Sequence, residues 1–165
     1  MDKAVIILGS SRSNGDTFKV VSKIKEFLSC DIIDLNSYHI SYYDYNHDNR
    51  GDDFMPLIKE IIKEYQIIIL GTPVYWYTMS AVLKTFLDRF SDLLTIEKEL
   101  GRQLRGKELG VISCSLGSKV DDEFWHPFKK TADYLGMKYL GDRHFSGLDE
   151  VEGVQSFLQL LNTSN

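Results

Sequence analysis

The 165-residue chain is poor in cysteine and proline, has no long apolar run, and leans only slightly towards one charge. Its two cysteines, Cys30 and Cys114, stand far apart in apolar stretches. That suits small buried hydrophobes and argues against a disulfide framework, so a reducing, cytoplasmic compartment is expected. The densest apolar run, residues 67–70, falls far short of the ~20 residues of a membrane span. The apolar residues 4–8 are followed by no cleavage-site pattern. With 19 Lys and Arg against 24 Asp and Glu, the formal charge of −5 argues against a nucleic-acid partner or a polybasic hold on a membrane. Gly-x-Ser-x-Gly is absent, and His39, His47, His126 and His144 have no metal-ligand spacing, so they are expected as surface or capping residues and no metal site is expected.

What remains is an ordinary globular composition, 43% apolar and 26% charged, which excludes a disordered or collagen-like chain. At ~150 residues per domain, residues 1–165 are expected to form one domain. Strand-like and helix-like periods alternate along it. Ala4-Val5-Ile6-Ile7-Leu8 is a β-prone run buried on both faces, and Val20, Val21, Ile24, Phe27 and Leu28 recur at helical spacing, with Asp16 or Thr17 as the cap. Further strands are predicted over 30–35, 66–71, 107–114 and 138–145. Helices are expected from Asp52 or Asp53, from Ser80, over 124–135 up to Gly136, and over 151–161. Alternation of this kind predicts an α/β fold: a doubly wound five-stranded parallel sheet with helices on both faces, its ligand beyond the carboxyl ends of the strands.

Three strand-end loops therefore matter. Gly9-Ser10-Ser11-Arg12-Ser13-Asn14-Gly15-Asp16-Thr17 offers hydroxyls, an amide, a guanidinium and a helix amino terminus, which suit a phosphate dianion; the alternative is a polar turn with a good helix cap. It is not a Walker A loop, because the lysine is missing, and it lacks the glycines of the dinucleotide fingerprint. Asp34 is then a strand-end cap. Gly71-Thr72-Pro73-Val74-Tyr75-Trp76-Tyr77-Thr78-Met79-Ser80 carries three consecutive aromatics where a polar turn is expected. A flat apolar ligand would explain them, and so would an aromatic plug in a core or subunit interface. Two longer connections, residues 36–51 and 92–106, exceed ordinary loop lengths. The first holds Tyr38, Tyr42, Tyr43 and Tyr45, which would wall either a substrate pocket or a subunit contact.

A phosphate cradle and a planar-ring slot on one sheet edge have the shape of a flavin mononucleotide site. Here the chain resembles the flavodoxin-like NADPH-dependent FMN reductases and their quinone-reductase and iron–sulfur flavoprotein relatives. The likeness rests on residues 9–17, on Thr72-Pro73-Val74-Tyr75-Trp76-Tyr77, and on Met79-Ser80-Ala81 with Leu83-Lys84-Thr85-Phe86-Leu87-Asp88-Arg89. It implies a flavodoxin-like fold in which Ser10, Arg12, Ser13, Asn14, Gly15 and Thr17 hold the FMN phosphate. Pro73, Val74, Tyr75, Trp76 and Tyr77 would line the ring, with Ser113, Ser115, Leu116 and Gly117 as a third wall. No catalytic side chain is needed, since the flavin carries the chemistry. Residues 40–53 lack the cysteines of the cluster-bearing relatives, which excludes an iron–sulfur centre there. The resemblance further implies NADPH or NADH as donor, a quinone, flavin or similar small oxidant as acceptor, and a homodimer or homotetramer. The competing reading is a flavodoxin, an electron carrier with no turnover of its own; Arg12 and the mild charge favour the reductase. A flavin-free interaction module is a third.

Overall fold

The computed structural model describes residues 3–117, 119–146 and 151–162. Five parallel strands form the sheet: β1 (Ala4–Leu8), β2 (Cys30–Asp34), β3 (Ile67–Tyr75), β5 (Glu108–Ser115) and β6 (Lys138–Ser146), in the order β2-β1-β3-β5-β6. This is the flavodoxin-like order, with the reversal beside β1 and β3 that opens a crevice at the strands' carboxyl ends. Short β4 (Thr78–Met79) folds back antiparallel on β3. Strands β1 and β3 alternate their side chains between two apolar layers. On one face they meet α2 (Phe54–Glu64), α3 (Ala81–Asp88) and α6 (Asp122–Leu135); on the other, α1 (Asp16–Phe27) and α7 (Val151–Asn162).

Local differences from the sequence expectation have physical causes. Strand β3 runs past Gly71 to Tyr75, because Thr72 and Pro73 pair with Ser113 and Cys114 while Val74 and Tyr75 pair with Met79 and Thr78. Gly71 is therefore no stop; a Cβ there would lie 3.3 Å from Val21, so its smallness admits α1. Residues 92–106 fold into α4 (Asp92–Thr95) and α5 (Lys98–Arg102), with Gly101 pressed against the Leu93 carbonyl. Helix α1 is entered through Gly15, not capped by Asp16 or Thr17. Asp53 stands at the N-cap of α2, yet it is the Asp52 carboxylate that accepts the Phe54 N–H, at 3.0 Å. Ser80 caps α3 through the Leu83 N–H, Asp34 accepts from the Asn36 N–H, and α6 ends at Gly136 with φ +70°, all as the sequence predicts. Both cysteines are buried, and neither is in a disulfide.

Candidate functional site

The loop after β1 is anchored from beneath. The Gly9 N–H donates to the Gly71 carbonyl at 2.8 Å, and the Ser80 hydroxyl donates to the Gly9 carbonyl at 2.6 Å. A Cβ on Gly9 would stand 2.5 Å from that of Leu83, so only glycine lets α3 approach. Asn36 donates to the Ser10 carbonyl at 2.6 Å. Ser10, Gly15 and Thr17 are buried, whereas Arg12, Ser13 and Asn14 are exposed. No side chain caps α1, which leaves its first N–H groups for a ligand. Arg12 reaches over Gly15 towards that helix end. Asp16 is tied to Lys19 at 2.8 Å, and this hydrogen bond and charge hold its carboxyl below the usual range. Arg12 adds a weaker pull on the same carboxyl, and its exposed guanidinium lines the groove where an anion would meet it.

The aromatic loop is a hairpin tip. Trp76 and Tyr77 form its turn with φ of +49° and +66°, a left-handed conformation that side chains adopt at a cost of ~1–3 kcal/mol each. Two-residue hairpins of this hand favour Asn-Gly. Here the tip instead presents Trp76 at 92% and Tyr77 at 85% exposure, with Tyr75 half-exposed below. The hairpin base is fused to the first loop: the Ser80 N–H donates to Thr72 Oγ1 at 3.0 Å, and Thr72 and Ser80 are fully buried.

The third loop follows β5. Ser115 and Leu116 reach the crevice, while Ser113 is 1% exposed and turned away from it. The Ser113 hydroxyl lies 2.8 Å from His144 Nδ1, and His144 Nε2 lies 2.9 Å from the Gly117 carbonyl and 3.2 Å from Ser115 Oγ. The Gly117 N–H donates back to Ser115 Oγ at 3.1 Å. His144 on β6 is thus the support of this loop, which the sequence reading places among surface or capping histidines. Its role comes from the strand register, which sets Ser113 opposite His144 and which no local sequence signal gives.

Together the loops enclose two clefts. A groove of about 320 Å³ is lined by Ser10, Arg12, Gly15, Asp16 and Thr17 of the first loop and by Pro73, Val74, Tyr75, Cys114, Ser115 and Leu116 of the other two. Val74 and Ser115 also wall a cavity of about 450 Å³, closed by Tyr77, Val120 and Phe124 and rimmed by Lys119, Asp121 and Glu123. The expected site residues therefore line these two adjoining clefts, except Ser113, which is buried behind them, and Ser13, Asn14, Trp76 and Gly117, which are not among the lining residues.

Asp88 and Arg89 part ways. Asp88 pairs with Lys84 on the surface, while Arg89 is 1% exposed. Its guanidinium binds Asp92 at 2.8 Å, Asp52, and the Ser41 carbonyl at 3.1 Å, and it stacks 4.7 Å above the Phe54 ring. His47 reaches the other Asp92 oxygen at 3.0 Å. Burial pushes the Asp52 carboxyl up, but bonds from Arg89 and the Ser41 and Phe54 N–H groups outweigh it and hold the carboxyl low. This cluster fastens the tyrosine-bearing connection to the body; His126 is exposed on α6.

Residues 3–147 match the family model described as NADPH-dependent FMN reductase. The chain is 29% identical over 153 residues, covering 84% of itself and 82% of the relative, to YwqN of Bacillus subtilis (strain 168), which carries the name of an NAD(P)H-dependent FMN-containing oxidoreductase. Among solved structures, the Trp repressor binding protein from Bacillus subtilis superposes with TM-score 0.73 at 23% identity, covering 98% of this chain and 99% of that one. An FMN-dependent NADH-azoreductase from Bacillus anthracis str. Ames Ancestor, solved with FMN, superposes with TM-score 0.61 at 17% identity, covering 99% and 97%. The structural likenesses bear on the fold alone.

Proposed function

The chain belongs to the NADPH-dependent FMN reductase family, and from that premise we propose that it passes reducing equivalents from NAD(P)H through FMN to a quinone, free flavin or similar small oxidant. One observation carries this reading: the anion cradle and the apolar slot share Val74 and Ser115, so a single cleft suits a phosphate at one end and a planar ring at the other. The donor set fits FMN. Buried Ser10 and Thr17, the uncapped α1 and Arg12 would take the phosphate. Pro73, Val74, Tyr75 and Tyr77 would flank the ring from one side and Ser115 and Leu116 from the other. Bound FMN supplies the hydride chemistry.

The chain's own residues then have limited tasks. The left-handed turn sets Tyr77 in the wall of the ring cavity, where it would orient a flat ring, and holds Trp76 out in solvent beside it, where it would narrow water's access. Lys119 gives the ring cavity one positive charge against Asp121 and Glu123. Donor and acceptor would take turns at one ring face, giving ping-pong kinetics. Exposed Tyr42 and Tyr45, beside a groove of about 500 Å³ lined by Tyr38, Ile40 and Val82, support a homodimer or homotetramer. Two buried cysteines outside any disulfide support a cytoplasmic setting, and residues 1–165 are read as one domain. Among the described residues no helix is long and apolar enough to cross a membrane.

The test is the visible spectrum after FMN is added and excess removed, then anaerobic NADPH. Retained bands that bleach rapidly and recover with a quinone support the reductase. Bands that persist point to the electron carrier, and no retained flavin removes both readings.

A further inference from the structure

The hydrogen bonds around His144 specify its tautomer. The Gly117 carbonyl can only accept, so Nε2, 2.9 Å away, carries the proton. In the neutral ring Nδ1 is then an acceptor, and its partner 2.8 Å away is the Ser113 hydroxyl, which must donate. Ser113 is 1% exposed, and its register position on β5 sets it directly opposite His144 on β6. A sheet-borne serine therefore fixes the imidazole, and the imidazole grips the backbone two residues beyond the end of β5. The same Nε2 lies 3.2 Å from Ser115 Oγ, which also accepts the Gly117 N–H at 3.1 Å. Loop residues 115–117 are thus tied to the edge strand through one ring.

Ser115 is also common to the two halves of the crevice, so whatever holds this loop sets the spacing between the phosphate groove and the ring cavity. We infer that His144 is a positioning residue of the flavin site: without touching the cofactor, it shapes the wall that the ring meets. The inference rests on the FMN reading above. A side chain fixed from behind by a second hydrogen bond is how binding sites hold a wall to within a fraction of an ångström.

The test uses the full-length chain. Long-range proton–nitrogen spectra of the flavin-free protein should show His144 as the Nε2–H tautomer, and in Ser113→Ala that preference should weaken. His144→Ala should bind FMN about tenfold more weakly, the scale of one lost hydrogen bond, and should alter the visible circular-dichroism bands of the bound ring. His144→Gln, which keeps a donor for Gly117, should restore most of the affinity and the bands. Arg12→Ala is the control, weakening FMN while leaving the bands unchanged. An Nδ1–H tautomer, or a His144→Ala chain that binds FMN with wild-type affinity and bands, overturns the inference while leaving the FMN reading intact. A His144→Ala loss that glutamine does not repair overturns it too. Failure of the wild-type chain to bind FMN, with the tautomer as expected, removes the FMN reading itself and the positioning role with it.

Discussion

Arg12 and Arg89 are the same residue in opposite circumstances. Arg89 is buried with two carboxylates, a carbonyl and an aromatic face around its guanidinium, so its charge is answered inside the protein. Arg12 is exposed at the mouth of the crevice, and among the described residues its guanidinium makes no hydrogen bond to the protein. The surroundings of the two differ in the same sense. Around Arg89, connections are closed by side-chain bonds from Asp52 and Asp92. Around Arg12 stand an uncapped helix and a hairpin tip in left-handed conformation. The comparison teaches that a charge enclosed by its partners holds structure, while one left exposed among polar groups is open to a ligand.

The largest expected effect comes from removing the buried member. Arg89→Ala leaves Asp52 and Asp92 facing each other without their cation, and breaking such a pair costs about 3–5 kcal/mol. Urea unfolding should show that loss, and amide exchange should show residues 41–53 opening first. An Arg89→Ala chain within about 0.5 kcal/mol of wild type would break the comparison, since that is the range of an ordinary surface change.

None of this cluster was legible in the sequence. Asp88-Arg89 reads as an adjacent acid and base at a helix end, and nothing local says that the guanidinium turns inward to meet Asp52 from a distant loop. His144 was hidden likewise, because its role depends on which residue of β5 lies beside it. The strands and helices were readable because apolar periodicity is a local property: the runs at 4–8 and 67–70 and the stripe from Phe54 to Ile62 are their own evidence of burial. Local signals misled where tertiary contact outweighed them. Gly71 looked like a strand end and is a packing site for α1. Trp76 and Tyr77 lack the Asn-Gly signature of the turn they form, since that turn is held by β4 pairing and by Ser80. Residues 9–17 stood out as a candidate phosphate loop because all the donors proposed for it lie in one local stretch.

The second effect belongs to the exposed member. Arg12→Ala should leave the unfolding free energy within about 0.5 kcal/mol of wild type and weaken FMN by about 10- to 100-fold, the scale of a charge-assisted hydrogen bond at ~1.5–3 kcal/mol. Arg12→Lys should recover only part of this, since an ammonium lacks the planar fork. Titration of the flavin-free chain with FMN decides it; an unchanged dissociation constant would mean that Arg12 is a surface charge and the contrast with Arg89 is only one of burial.

A third change asks whether the hairpin tip is held in its conformation for the site. Replacing Trp76 by Asn and Tyr77 by Gly installs residues suited to the left-handed turn and should stabilise the chain by about 1–2 kcal/mol. The same pair of changes removes the Tyr77 ring from the crevice wall and the exposed Trp76 ring beside it, so turnover with a quinone should fall while stability rises. A variant that gains stability and keeps full turnover would show that the aromatics serve something other than the crevice.

The smallest effect is expected in acid. The folded chain holds the Asp52 carboxyl low, so on acidification the unfolded chain, with its aspartate near ~3.9, takes up the proton first. The stability contributed by Asp52 is therefore fully present above about pH 4 and is lost as pH falls through the lower, folded value. The difference in unfolding free energy between wild type and Asp52→Asn should be flat at neutral pH and shrink only below about pH 4. Asp16 is also held low, through Lys19, but that pair lies in solvent with side chains 44% and 53% exposed. Salt at about 0.5 M should screen the Asp16 contribution and leave that of Asp52, whose side chain is 3% exposed, nearly intact. If salt erased both alike, the guanidinium beneath the tyrosine-bearing connection would be as open to solvent as the one at the crevice, and the two arginines would differ in position alone.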